Sequence, residues 1–417
     1  MVFEEIAPTR VADMMTEQSH ETAVAPYRWV VLTLFVIVAL TSQLLWLTFA
    51  PISSEMTDLY GVSAFDISLL SLVWPLVFVF LAIPVGIFID KKGFEISVGT
   101  GALFLAVFAV LRVFSVYFDY NFTLLLISQG GAAFSQPFIF GSITKMAASW
   151  FPENEHGLAT GLGTIGLFLG MMLALALTPF MFQSLGITGM LFAYALISCL
   201  ATSLFLIFGK EGHLPSSSDD SAAFTLRDMR ELSKFRGFFV LEYGFFAVVG
   251  GFTAIMTWLE EILSSLHGLT IDEAGLVGGL MIVGGIIGSV ILPAISDKTK
   301  TSKPFVLLNL AVGITLLFLL GIISGFVALA VVFFIAGFFL MSALPLVLGI
   351  SSRISGTGME GRASSLLWFF SQVGSVILIA VVEPIQSLTG NYYHSIVVIA
   401  ILWIVAFFLF TSIKENN

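Results

Sequence analysis

From Trp29 to Ile413 the chain repeats one pattern about twelve times: some twenty apolar residues, then a short polar turn. A run of that length crosses the roughly 30 Å hydrocarbon layer of a bilayer as one helix. The pattern predicts helices over residues 28–55, 64–89, 96–118, 121–150, 155–182, 185–208, 237–264, 272–296, 303–323, 325–350, 361–387 and 391–413. The expected fold class is therefore an all-α polytopic membrane protein, with twelve transmembrane helices in two pseudosymmetric six-helix halves.

The polar positions organise the rest. Residues 1–26 form an expected tail, 27–208 the first half, 209–235 a linker, 236–413 the second half and 414–417 a second tail. Lys91 and Lys92, the basic residues between 227 and 236, Lys298 to Lys303, Arg353 and Arg362 all fall in alternate loops. The opposite loops carry Asp58, Asp119, Asp272 and Glu273 without Lys or Arg. Lys and Arg are retained on the cytoplasmic side, so those loops and both termini are expected there, in a protein of the plasma membrane. Within the linker, Thr225 and Asp228 form a capping box ahead of Leu226, Met229, Leu232 and Phe235 at helical spacing, which predicts an amphipathic surface helix.

The halves also repeat each other. At an offset of 207 residues Gly61, Ser63, Asp66, Asp90 and Lys91 fall on Gly268, Thr270, Glu273, Asp297 and Lys298. Five coincidences at one offset predict two parallel repeats.

Composition narrows the function. With 58% hydrophobic and 11% charged residues there is little polar surface for a soluble domain. A net charge of -10 opposes binding to phosphate backbones, so nucleic acid is not an expected partner. The single Cys199 excludes an intramolecular disulfide and a cysteine metal cluster. No phosphate-binding loop, metal-ligand spacing or nucleophile constellation is present. An enzyme is therefore not expected, nor are a cofactor and a metal. The expected partners are a small-molecule substrate and the lipid bilayer, and nothing calls for an oligomer beyond a monomer.

The segment Gly86-Ile87-Phe88-Ile89-Asp90-Lys91-Lys92-Gly93 resembles the G-x-L-x-D-[RK]-x-G signature of the major facilitator superfamily. The resemblance implies the major facilitator fold and a conformational latch. Gly86, Asp90, Lys91 and Gly93 belong to its first copy and Asp297 to its second, and Lys145 and Arg362 are cations within reach. The chain departs from the signature at Phe94 and Glu95, where basic residues are usual, and at Pro293 in the second copy.

Arg28-Trp29-Val30-Val31, Trp46, Tyr60 to Phe65, Glu360-Gly361 and Gln372 are similar to the feline leukaemia virus subgroup C receptor-related branch of that superfamily. That branch is associated with movement of choline and ethanolamine, and with haem, by alternating access. It implies a cage of one tryptophan, one tyrosine and two glutamines. Carried over, the tryptophan is Trp46 and the helix-eleven glutamine is Gln372, whereas Thr253 stands at the tyrosine position and Phe168 at the helix-five glutamine position. Gln136, Gln129 and Gln43 are further amides at membrane depth, suited either to lining a cavity or to bonding neighbouring helices.

The reading is thus a secondary transporter, best matched to facilitated diffusion of a choline-like organic cation or amphipathic amine, in effect a uniporter. The substrate contacts are Trp46, Phe168, Thr253, Gln372 and Gln136. One alternative is a proton-coupled carrier of organic acids using Glu242, the proton site, or Arg112, for which structural pairing is the better reading. An alternative of another class is a receptor or scaffold without transport.

Overall fold

Capping chemistry fixes where the helices begin. Ser63 Oγ accepts from the Asp66 amide at 3.2 Å, and the Asp66 carboxylate accepts from the Ser63 amide at 3.0 Å. Thr270 and Glu273 form the same reciprocal box at 3.4 and 3.0 Å. Just before each box the preceding helix closes on a left-handed glycine, Gly61 at φ 62° and Gly268 at φ 65°. The 207-residue repeat seen in the sequence is therefore also a repeat of backbone geometry.

The computed structural model describes residues 26–152, 155–212, 231–232, 236–355 and 360–413, and every regular element among them is helical. The first half contains α1 (Tyr27–Trp46), a 3-10 turn (Ala50–Ile52), α2 (Ser53–Tyr60), α3 (64–92), α4 (94–117), α5 (Phe122–Ala133), α6 (Ser135–Trp150), α7 (156–185) and α8 (187–208). The second half contains α9 (Arg236–Gly244), a π-turn (Phe245–Val249), α10 (Gly250–Thr257), α11 (Leu259–His267) and α12 (Ile271–Thr299). It continues through α13 (Lys303–Leu319), α14 (Phe326–Ser355), α15 (Glu360–Thr389) and α16 (Tyr393–Thr411). Taking α1 with α2, α5 with α6, and α9 with α10 and α11, each half comprises six helical segments.

Three expected helices are interrupted, for local reasons. The span 28–55 stops at Trp46, because Pro51 has no amide to give the Leu47 carbonyl four residues back. The span 121–150 stops at Ala133 and restarts at Ser135, because Pro137 withholds a donor from Ala133 in the same way. The span 237–264 holds the π-turn and breaks again at Trp258. Conversely, the expected gap after residue 182 is filled, and α7 runs on to a turn at Gly186. The expected amphipathic segment lies largely outside the described residues. Leu232 is described and is buried against Phe238, Leu241 and Val306 of the second half.

Where the chain departs from the signature, the structure shows what the departing residues do. Gly93 sits at φ 80°, ψ -179°, and a Cβ there would lie 2.6 Å from a Glu211 carboxylate oxygen. Phe94 is fully buried, with ring centroids 5.9 Å from Phe35 and 5.8 Å from Phe205. The Glu95 amide donates to the Glu211 carboxylate and the Glu211 amide to the Glu95 carboxylate, both at 2.8 Å. Core packing and a clasp onto the first residues after α8 therefore occupy the two positions where the signature usually carries basic residues.

The halves meet at the end that carries the acidic loops. The Ser54 amide and hydroxyl donate to Glu260 at 3.0 and 2.9 Å, and Gln183 donates to Asp272 at 2.7 Å. Between those bonds α7 and α12 are in backbone contact, since any Cβ at Gly275 would strike the Leu175 carbonyl. Near the opposite, basic end, Gly157, Gly161 and Gly349 face open space.

Candidate functional site

Trp46 is the last residue of α1, so the carbonyls of Leu45 and Trp46 lose their intrahelical donors. Two buried side chains replace them. Arg112 Nη1 from α4 donates to the Leu45 carbonyl at 3.3 Å, and Gln129 Nε2 from α5 donates to it at 3.1 Å and to the Trp46 carbonyl at 3.5 Å. Arg112 Nη1 also donates to Gln129 Oε1 at 2.9 Å, and its guanidinium lies 5.4 Å over the Phe49 ring. The Trp46 indole is held separately, its Nε1 donating to the Ser71 carbonyl of α3 at 3.1 Å. Backbone and ring of Trp46 are thus both fixed by other helices.

Trp46 forms part of the wall of a cavity of about 1030 Å³ between the halves, a figure that includes open space at its mouth. The first half contributes Gln43 and Trp46 from α1, Gln136 and Phe140 from α6, and Thr164, Leu167, Phe168 and Met171 from α7. The second half contributes Phe245 and Val249 of the π-turn, Phe252 and Thr253 of α10, Leu344 of α14, and Trp368 and Gln372 of α15, among others. Among the described residues, no Asp, Glu, Lys, Arg or His belongs to the lining. Trp368 stands between the halves, its ring 5.6 Å from Phe140 and 5.9 Å from Phe245. The π-turn is held from behind, where Trp403 Nε1 donates to the Ala247 carbonyl at 2.8 Å.

All five residues expected to contact substrate, Trp46, Phe168, Thr253, Gln372 and Gln136, line this one cavity. The Thr253 hydroxyl donates to the Val249 carbonyl at 2.9 Å, so it offers the cavity an acceptor. The latch residues lie elsewhere. Gly86, Asp90, Lys91 and Gly93 are on or just after α3, Lys145 is half-buried on α6, Asp297 is exposed on α12 and Arg362 is half-buried on α15. All are at the basic end and none lines the cavity. Glu242 is buried on α9 and Arg112 is committed to the α1 break, and neither reaches the lining.

Phe140, Phe252 and Trp368 are lining residues that sequence reasoning missed. Trp368 was legible in principle, since it precedes Gln372 by four residues and so shares its helix face. Phe140 bears the same relation to Gln136.

Two helical repeats with a cavity between them are the architecture of a membrane transporter. Residues 34–379 match the Major Facilitator Superfamily, and the chain belongs to that family. It is a transporter and not an enzyme. It is 25% identical over 398 residues to the choline/ethanolamine transporter flvcr2b of Danio rerio, covering 89% of this chain and 82% of that one. To the choline/ethanolamine transporter FLVCR1 of Mus musculus it is 27% identical over 389 residues, covering 84% and 69%. The fold matches that of a bacterial homolog of the human lysosomal transporter Spinster, with a TM-score of 0.70 at 14% identity over 92% of this chain and 96% of that one.

Proposed function

We propose that the protein moves a choline-like organic ammonium ion down its electrochemical gradient across the plasma membrane, with the basic loops on the cytoplasmic side. The observation that carries this reading is the character of the cavity, aromatic and amide-lined without an ionised side chain. A quaternary ammonium ion is attracted to the face of a tryptophan by the ring quadrupole, an interaction worth about 2 kcal/mol when desolvated. It needs no carboxylate counter-ion, and in a dry cavity an ordinary anion would need a cation that this lining lacks. Trp46 supplies one wall, fixed in orientation by Ser71. Phe168 and Trp368 supply aromatic surface that Thr253 does not. Gln136 and Gln372 give the substrate's polar end hydrogen-bonding partners. The two relatives named for choline and ethanolamine support the same chemistry.

On this reading the hydrogen bonds at the acidic end close the outer side of the cavity. One protomer contains the whole cavity, so a monomer suffices.

The test is binding to the purified full chain. Choline raises the unfolding temperature, with a stabilisation approaching about 2.7 kcal/mol at a hundred times its dissociation constant. Citrate and succinate leave it unchanged, and Trp46→Ala cuts the choline stabilisation at that concentration to about a third. Stabilisation by the acids and none by choline refutes the reading.

A further inference from the structure

We infer that Gln43 is a specificity-determining residue, which donates a hydrogen bond to an oxygen atom carried by the transported ammonium ion. The inference rests on the organic-cation reading above and extends it to a position outside the four carried over by resemblance.

Gln43 precedes Trp46 by one helical turn on α1 and lines the same cavity. Residues three apart share a helix face, so its side chain lies beside the indole, about 4.5 Å further along the axis. Its Nε2 is buried and finds no hydrogen-bond partner among the described residues. Gln129 shows what the same side chain does when it serves to bind helices together. Its amide is engaged at both ends, by Arg112 on one side and by the Leu45 and Trp46 carbonyls on the other. Gln43 has no such engagement, and it cannot gain one by turning into α7. That helix presses on it so closely that a Cβ at Gly170 would lie 2.8 Å from Gln43 Cβ. Nε2 itself is closed off in this state, and a turn of the side chain that frees it leads into the cavity that Gln43 lines.

Gln136, Gln372 and Trp368 offer the cavity further N–H groups, whereas three other donors in the wall are already spent. The Trp46 indole N–H is bonded to Ser71, the Thr253 hydroxyl to Val249 and the Thr164 hydroxyl to Thr160. An unpaired buried N–H is relieved only by an acceptor, so the complementary group is an oxygen, a hydroxyl or ether, not a further methyl. Its separation from Trp46 matches an ammonium ion on the indole face with the oxygen at the end of a two-carbon arm.

The experiment compares two cations of equal size and charge, choline and propyltrimethylammonium, which differ by a hydroxyl in place of a methyl. Dissociation constants are measured by calorimetry on the purified full chain, for the wild type, Gln43→Leu and Gln43→Met. The wild type is expected to bind choline about tenfold more tightly than its carbon isostere. Both variants lose that preference by weakening choline about tenfold while holding propyltrimethylammonium as before, which also certifies their fold. A choline preference that persists in the variants overturns the inference and leaves the cation reading standing. So does a wild type that does not distinguish the pair, or a pair of variants that bind neither cation. A wild type that binds neither cation instead removes the organic-cation reading itself, and the inference with it.

Discussion

Arg112 is a fully buried cation whose counter-charge is the end of a helix. The C-terminus of α1 presents about half a negative charge on its free carbonyls, and Arg112 and Gln129 bind it together. Removing either partner has unequal consequences. Gln129→Leu leaves a charge in the core with one long hydrogen bond and costs about 3 kcal/mol. Arg112→Leu leaves the Leu45 carbonyl still bonded to Gln129 and costs about 1 kcal/mol. Chemical unfolding of the two variants checks the order, and equal losses or the reverse order contradict it. At the cavity, Trp46→Ala raises the choline dissociation constant about 30-fold, equivalent to about 2 kcal/mol, while Trp46→Phe retains part of the affinity. Trp46 and Gln372 were legible through the family resemblance, and Gln372 also because an amide at membrane depth needs a partner. Arg112 was legible as a structural cation but its partner was not, because that partner is the backbone of another helix and no residue pattern announces a carbonyl.

Among the elements, the helix starts were easier to read than the breaks. Ser63 with Asp66 and Thr270 with Glu273 are visible as capping boxes because both partners lie within one turn. The end of α1 at Trp46 was not, since the disruption by Pro51 falls four residues upstream of the proline. The π-turn of 245–249 has no sequence signal. Its Ala247 carbonyl is satisfied by Trp403, which lies 156 residues away. Two glycines that look alike in sequence differ in consequence. Gly61, at φ 62° and ψ 38°, is in the left-handed region that asparagine tolerates, so Gly61→Asn changes stability by less than about 0.5 kcal/mol. Gly93, at φ 80° and ψ -179°, is in a region open essentially to glycine alone, so Gly93→Asn and Gly93→Ala each cost about 1–3 kcal/mol. Thermal unfolding of the three variants compares them directly, and a well-tolerated Gly93→Asn contradicts the backbone argument.

For the whole molecule, the two-half fold was legible from the repeat, whereas the seam between the halves was not, since Ser54 and Glu260 are 206 residues apart. Glu260 lies beyond the Gly237–Thr257 span, where burial, aided by Glu261 and Glu55, pushes its carboxyl up to about 7 against the pull of the two Ser54 donors. On the proposed cycle, opening this acidic end would let water reach Glu260 and return its carboxyl toward the ordinary 4.5. Sealing therefore takes up a proton between those values. Its contribution is complete below about 4.5 and is lost as pH rises through about 7. Spin labels on cysteines placed at the exposed Asp58 and Ser265, in a Cys199→Ser background, should move apart between pH 5 and pH 8. Glu260→Gln should hold them close at both, and a wild-type distance independent of pH contradicts the linkage.

On the proposed reading, a cavity whose described wall carries no ionisable side chain sets how transport is driven. A proton-coupled carrier needs a titratable group beside its substrate, and neither Glu242 nor any other such group lines this one. A cation held by ring faces and amides crosses with its own charge, which the membrane potential drives at about 2.3 kcal/mol per 100 mV. The most direct measurement is uptake of labelled choline into proteoliposomes under an imposed potential or an imposed pH gradient. A potential of about 60 mV, negative inside, should concentrate choline about tenfold, and a pH gradient without a potential should leave it at equilibrium. Accumulation driven by the pH gradient alone, and lost in Glu242→Gln, contradicts the account.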